Sequence, residues 1–363
     1  MQPSSRKTLT VDEINELHAD VERCADVAGL VYVLGEQPGL TRVRRGKGFS
    51  YHDSERKPLT DAEVKSRITA LAIPPAWRKV WICPHPDGHL LATGEDEKGR
   101  KQYIYHPRWR AVRDMLNFYR LIMFSAHLSE IRQYTEAQLR RRTLDRDRVL
   151  AAMIRIIDLS YIRIGNEVYA EENDSYGLTT LTPEHVSVHG DKVSFAFPAK
   201  SGKAWDVSIH DRGVARVVRA LLDEPGRRLF TIDGKTVTSE EMNQLLFTIT
   251  GEHITAKNFR TWGGTLAAFS YLKRRLDTDR AAAKVVVAAV DQAAETLGNT
   301  RTVARAHYVH PHVLETYTEH TFADYLDQAE SQDVPGLDAD ERQLAAFLTV
   351  LFEAEFSLLT AGP

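Results

Sequence analysis

The chain has 363 residues, 43% hydrophobic and 27% charged, with a formal net charge of -3, which fits a globular protein of about two domains. Its two cysteines, Cys24 and Cys83, exclude a disulfide scaffold and a cysteine-based zinc module. No apolar run approaches the roughly 18 residues that span a bilayer, and the first twenty residues carry no apolar leader, so a cytoplasmic protein is expected.

In chain order, residues 30–53 predict short strands, LVYVL and then LTRVRRGKGFSYHD, with Gly46 and Gly48 flanking a lysine in a basic hairpin. A helix is expected over Asp61 to Leu71, with Thr60 as N-cap and Glu63 as the returning capping-box residue, ended by Pro74 and Pro75. The strand-like KVWICPH and the segment HLLATGEDEKGRKQYIYH complete a small β-rich section. Helical periodicity takes over near Pro107. A polar break at RRRTLDRD separates a helix near 110–140 from a second, read as RVLAAMIRIIDLSYIRIGNEVYAEEN, with Arg163 inside its apolar run. HVSVH, KVSFAFP and AWDVSIH alternate as a three-stranded meander, and helical patterning returns from about Val214 nearly to the end. The expected fold is α+β: a β-rich N-terminal lobe over 1–110, and a mainly helical lobe over 111–363 with an embedded meander and an acidic tail.

The modest net charge conceals an asymmetry. Residues 313–363 hold 11 acidic side chains against one basic, Arg342, which leaves +7 for residues 1–312. A basic body of this kind suits a nucleic-acid partner, and the run Arg42, Arg44, Arg45 and Lys47 is positioned by sequence to meet phosphates.

Nucleotide and metal chemistry find no support. The nearest approach to a phosphate loop, Gly94 to Arg100, has arginine where lysine belongs and no following Ser or Thr. His307, His310 and His312 are interrupted by Pro311 and read as surface or polar-network histidines, so no metal is expected.

Four places hold charged or nucleophilic groups that packing alone would not put there. They are Arg163 in YIRIGNE, the lysines of the turn AKSGK, Arg260 in KNFRTWGG, and Tyr308 beyond the helix stop LGNT. Together they suit one task. Two arginines grip the non-bridging oxygens of a phosphodiester, a hairpin lysine protonates a departing alkoxide, and a tyrosine attacks phosphorus.

The order and context of these motifs resemble the type IB DNA topoisomerases, in the compact branch found in poxviruses and bacteria. The resemblance runs from about residue 30 to about 325. It is carried by RGKGFSY, IPPAWRKVWIC and GRKQYIYH, and then by YIRIGNEVYAEENDSYGLTTL, FPAKSGK, NFRTWGGT and LGNTRTVARAHYVHP. It implies that Arg163 and Arg260 bind the scissile phosphate, that Lys200 is the general acid, and that Tyr308 is the nucleophile. Lys257 falls where the family has a basic side chain that assists proton transfer. Where poxvirus enzymes carry histidine, this sequence has Asn299, as bacterial members do; its amide donates a hydrogen bond without a full charge. The resemblance further implies DNA contacts at Gln102, Tyr103, Tyr105, Tyr169 and Asn173. It implies duplex DNA as substrate, a monomer associated with the nucleoid, and neither ATP nor another cofactor.

Two alternatives stay open on the sequence. A tyrosine recombinase uses the same Arg, Lys, Arg and Tyr set, although IPPAW, QYIYH and Lys257 argue against it. A non-catalytic DNA clamp would use the same basic surfaces.

Overall fold

The computed structural model describes residues 20–46, 48–199, 204–276 and 281–360; the side chains of Asn117, Phe118, Val168, Tyr169, Asn173 and residues 355–360 are outside that description. Helices and antiparallel strands are mixed, as expected, and the chain divides into two compact units, up to Tyr119 and from Arg120 onward. No helix among the described residues is long and apolar enough to cross a membrane.

The first unit holds α1 (Val21–Val27) and five antiparallel strands, β1 (Leu40–Arg45), β2 (Gly48–His52), β3 (Arg78–Ile82), β4 (Leu90–Glu95) and β5 (Lys101–Tyr105). They lie in the order β2-β1-β3-β4-β5. The β1–β2 hairpin pairs Arg45 with Gly48, where the glycine punctuation placed a turn. LVYVL does not form a strand; only Val31 bridges, to Gly88. One face of the sheet buries Leu40, Val80, Ile82 and Ala92 against Ile68 of α2 (Ala62–Ala70) and Ile73. The cap of α2 is Asp61 rather than Thr60. Its carboxylate accepts from the N–H groups of Glu63 and Val64, a contribution of about 1 kcal/mol. A carboxylate at the cap also faces the positive end of the helix, which is why it wins over the neighbouring hydroxyl.

The long helix α3 (Pro107–Arg140) runs from the first unit into the second. The second unit continues with α4 (Arg146–Ser160) and α5 (Glu167–Asn173). Next come the meander β6 (Val186–His189), β7 (Lys192–Pro198) and β8 (Ala204–His210), and α6 (Arg212–Leu222). The short hairpin β9 (Thr231–Ile232) and β10 (Lys235–Thr236) follows, with α7 (Ser239–Thr250) and α8 (Ala256–Lys273). The remaining helices are α9 (Ala282–Thr296), α10 (Arg301–His307), α11 (Pro311–Thr318), α12 (Phe322–Gln328) and α13 (Ala339–Thr360).

The meander has the expected order β6-β7-β8, with Val193, Phe195, Phe197, Trp205 and Ile209 on its buried face. The single helix read over 148–173 is broken. It stops at Ser160, Tyr161 adopts a left-handed φ of 55°, and the chain runs without helix to α5. The acidic tail is not merely solvated. Leu344, Phe347, Leu348 and Leu351 of α13 are buried at helical spacing, and the Phe347 ring lies 5.3 Å from that of Phe269 in α8.

Candidate active site

Arg163 sits in the break after α4, not inside a helix. Its carbonyl accepts from Leu178 N–H at 2.8 Å, and that of Ile164 accepts from Thr179 N–H at 2.7 Å, so this stretch is held as an extended strip against residues 177–180. The approach is close enough to need glycine on both sides. A Cβ on Gly177 would stand 2.6 Å from the Arg163 carbonyl oxygen, and Gly165 has φ +98°. Fixed in this way, the half-buried Arg163 guanidinium donates to Oδ1 of Asn299.

Arg260 lies in the first half of α8 and is 3% exposed. Its Nη1 donates to the Tyr161 carbonyl and its Nη2 to the Leu297 carbonyl at 3.0 Å. The left-handed turn at Tyr161 therefore has a use: it aims a helix-terminal carbonyl at Arg260. The guanidinium also lies 4.9 Å from the centre of the Tyr308 ring. Lys257, one turn earlier on the same helix, is exposed.

Asn299 and Tyr308 come from the segment after α9. The helix ends through Gly298, at φ +58° with its α-carbon against the Trp205 ring, and Asn299 N–H returns to the Ala294 carbonyl at 2.8 Å. Thr300 caps α10. Tyr308 is not within a helix but forms the C-terminal cap of α10. Its N–H donates to the Ala304 carbonyl at 2.9 Å, and its own carbonyl accepts from the Thr265 hydroxyl at 3.3 Å. The Gly263–Gly264 pair lets Tyr161 and Tyr308 approach α8 at adjacent positions.

Electrostatics sets the character of this cluster. Burial pushes the Tyr308 phenol up, but Arg260, Arg163 and Lys257 together outweigh it and hold the phenol below its ordinary value near 10. Burial, followed by the neighbouring Arg163, pushes Arg260 down to about 10; it stays cationic at neutral pH. Burial likewise lowers Arg163. Among the described residues neither guanidinium meets a carboxylate: their partners are two carbonyls, an amide and a phenol. A buried cation costs several kcal/mol unless its charge is matched, so buried Arg260 and half-buried Arg163 together make a site suited to an anion. Two forked guanidiniums suit the tetrahedral oxygens of a phosphodiester.

Arg163, Arg260, Asn299 and Tyr308 are thus brought together from three segments: the break after α4, α8, and the stretch after α9. Lys200 and Lys47 lie outside the described residues, as do the side chains of Tyr169 and Asn173, both in α5. On β5, Gln102 and the two tyrosines point to opposite faces, as alternation requires. Gln102 donates to Asp96 at 3.0 Å. Tyr103 is exposed and stacks 5.8 Å from Tyr105, which continues into an aromatic cluster with His89 and Trp109. Arg44 and Arg45 are exposed on β1, but Arg42 is not free to meet a phosphate. It donates to the carbonyls of Ile73, Pro74 and Trp77 at 2.9–3.0 Å and stacks 4.2 Å from Phe49. His310 is buried rather than on the surface, and its N–H donates to Thr265. Sequence reasoning passed over Tyr161, Thr265 and Trp205, because each acts through a backbone atom or by packing. Gly263 was the available signal for Tyr161, and Gly298 for Trp205.

Residues 106–332 match the family described as eukaryotic DNA topoisomerase I, catalytic core, and residues 48–96 match bacterial DNA topoisomerase IB, N-terminal domain. The chain is 29% identical over 296 residues to DNA topoisomerase 1B of Acanthamoeba polyphaga mimivirus, covering 77% of this chain and 87% of the viral protein. It is 24% identical over 249 residues to DNA topoisomerase 1B of vaccinia virus (strain Copenhagen), covering 65% and 75%. All of α13, with residues 333–338 before it, lies beyond the matched core.

Proposed function

Because the chain belongs to the type IB DNA topoisomerases, we propose that it relaxes supercoiled duplex DNA by nicking one strand, letting the duplex swivel and resealing it. Tyr308 Oη attacks the phosphorus, the 5′ oxygen departs with a proton from Lys200, and a 3′-phosphotyrosyl bond stores the linkage energy. The phenol proton passes to water, favoured by the positive charge of Lys257, which assists proton transfer. Arg163 and Arg260 bind the non-bridging oxygens and stabilise the extra charge of the pentacoordinate transition state, each contributing about 3 kcal/mol by analogy with oxyanion donors. Asn299 orients Arg163 and donates to the phosphate. One ester replaces another, so the cycle is nearly energy-neutral and needs no ATP.

The observation that carries this reading is a buried and a half-buried guanidinium with only neutral partners among the described residues, facing a phenol whose ionisation they favour. In this reading the protein acts on duplex DNA as a monomer, in the cytoplasm with the nucleoid. The decisive experiment incubates the chain with a nicked-end duplex that traps the cleaved state and resolves the products on a denaturing gel. A covalent adduct mapping to Tyr308, absent in Tyr308→Phe while duplex binding persists, is expected. An adduct surviving in Tyr308→Phe overturns the assignment. Relaxation of a plasmid without any special site separates this activity from recombination, which needs paired sites.

A further inference from the structure

Outside the cluster around Tyr308, the most heavily committed side chain in the second unit is Arg132 of α3. Its Nε and Nη2 donate to Asp158 of α4 at 2.9 and 2.8 Å, and its Nη1 and Nη2 to Glu341 of α13 at 2.7 and 2.8 Å. Nη1 also reaches the Gly336 carbonyl at 2.6 Å. Glu341 is 4% exposed. It is held from its own side too, because Asp338 N–H donates to Oε2 at 2.9 Å while Glu341 N–H donates to Asp338 at 2.8 Å, a reciprocal cap at the start of α13.

One hydrogen bond and one electrostatic proximity lead from this ion cluster to Arg260. The indole N–H of Trp262, two residues after Arg260 on α8, faces Glu341 Oε1 at 3.4 Å. The Tyr161 ring, in the field of Asp158, Glu341 and Arg132, lies on Gly263, and the Tyr161 carbonyl is the acceptor that holds Arg260 Nη1. The clamp thus holds α8 through Trp262, and through Asp158 it holds the end of α4, three residues before the carbonyl that orients the Arg260 guanidinium.

We infer that Glu341 is a positioning residue for Arg260, and that the acidic C-terminal segment is a brace for the chemical step. This rests on the role given to Arg260 above. Matching a buried cation with two carboxylates is justified energetically only where geometry is excellent, and here Arg132 uses its whole fork. The burial of Leu344, Phe347 and Leu348 would anchor α13 without any buried carboxylate, so packing alone does not account for Glu341.

The test is a double-mutant cycle on the full chain, read as the single-turnover rate of covalent adduct formation at saturating duplex, well below the melting temperature. Glu341→Gln keeps the shape and removes the charge. It is expected to slow cleavage about 10-fold with duplex affinity unchanged, and to add nothing in an Arg260→Ala background, since coupling within one network is non-additive. Leu351→Ala, in the same helix but away from the clamp, should lower the melting temperature and leave the rate within about twofold. Trp262→Phe, which removes the indole donor, runs the same cycle if Glu341→Gln fails to fold, with an expected loss of about threefold. Wild-type cleavage by Glu341→Gln, an equal loss in the Arg260→Ala background, or equal slowing by Leu351→Ala overturns the inference. Failure of the underlying reading has a different signature, an adduct that persists in Tyr308→Phe.

Discussion

A Cβ atom at Gly264 would stand 2.6 Å from the carbonyl oxygen of Tyr308 and 3.2 Å from its Cβ. The backbone that carries the phenol therefore rests directly on α8, and the Arg260–Tyr308 distance is set by the lack of a side chain at position 264. Gly264→Ala forces either the α10–α11 connection or α8 to move, at a cost of about 1–3 kcal/mol. Since a shift of about 1 Å in a reacting group costs on the order of 100-fold in rate, adduct formation should fall at least that far while the chain still folds. Thermal melting and trapped-adduct yield, measured together, check this; a normal adduct rate would show that Tyr308 is not held by α8.

The phenol of Tyr308 is acidic for its surroundings because three cations outweigh its burial. The cleavage rate should rise with pH as the phenolate forms and level off below pH 10. In Arg260→Ala the largest opposing influence is gone while burial, which acts the other way, remains. The levelling-off should then move upward in pH. Carbon-13 labelling of the tyrosine rings, with Tyr308→Phe to assign the signal, reads the same shift directly on the free protein.

The basic hairpin separates into two kinds of arginine. Arg42 is spent on three carbonyls, so Arg42→Ala should destabilise the first unit by about 1–3 kcal/mol and leave the salt dependence of duplex binding unaltered. Arg44 and Arg45 have exposed heads. Replacing either by alanine should spare stability and reduce the slope of log affinity against log salt by about 1. Urea unfolding and a salt titration of binding distinguish the two patterns.

A general acid at Lys200 makes a prediction about the leaving group alone. Lys200→Ala should slow cleavage of an ordinary phosphodiester by 100-fold or more, on the order of what a positioned acid contributes. It should cleave a substrate with sulfur at the 5′ bridging position at nearly the wild-type rate, because a thiolate departs without a proton. Persistent slowness on the sulfur substrate would assign Lys200 to binding.

What the linear chain determined by itself is the local grammar. Alternation in KVSFAFP and AWDVSIH set the faces of the meander, the punctuation at Gly46 and Gly48 set a hairpin, and LGNT stopped α9. The order of the chemically active motifs carried the family resemblance. These signals are local because backbone sterics and side-chain period act over a few residues. Tertiary structure decided the rest. The apolar period of RVLAAMIRIIDLSYIRI gives no warning that the helix ends at Ser160, since the turn at Tyr161 is held by Arg260, nearly a hundred residues away. Arg42 reads like its neighbours until Ile73, Pro74 and Trp77 close over it. The acidic tail reads only as a run of charge until Arg132 collects Glu341. In each case the deciding quantity is the free energy of a buried charge, which depends on partners that only folding brings within reach.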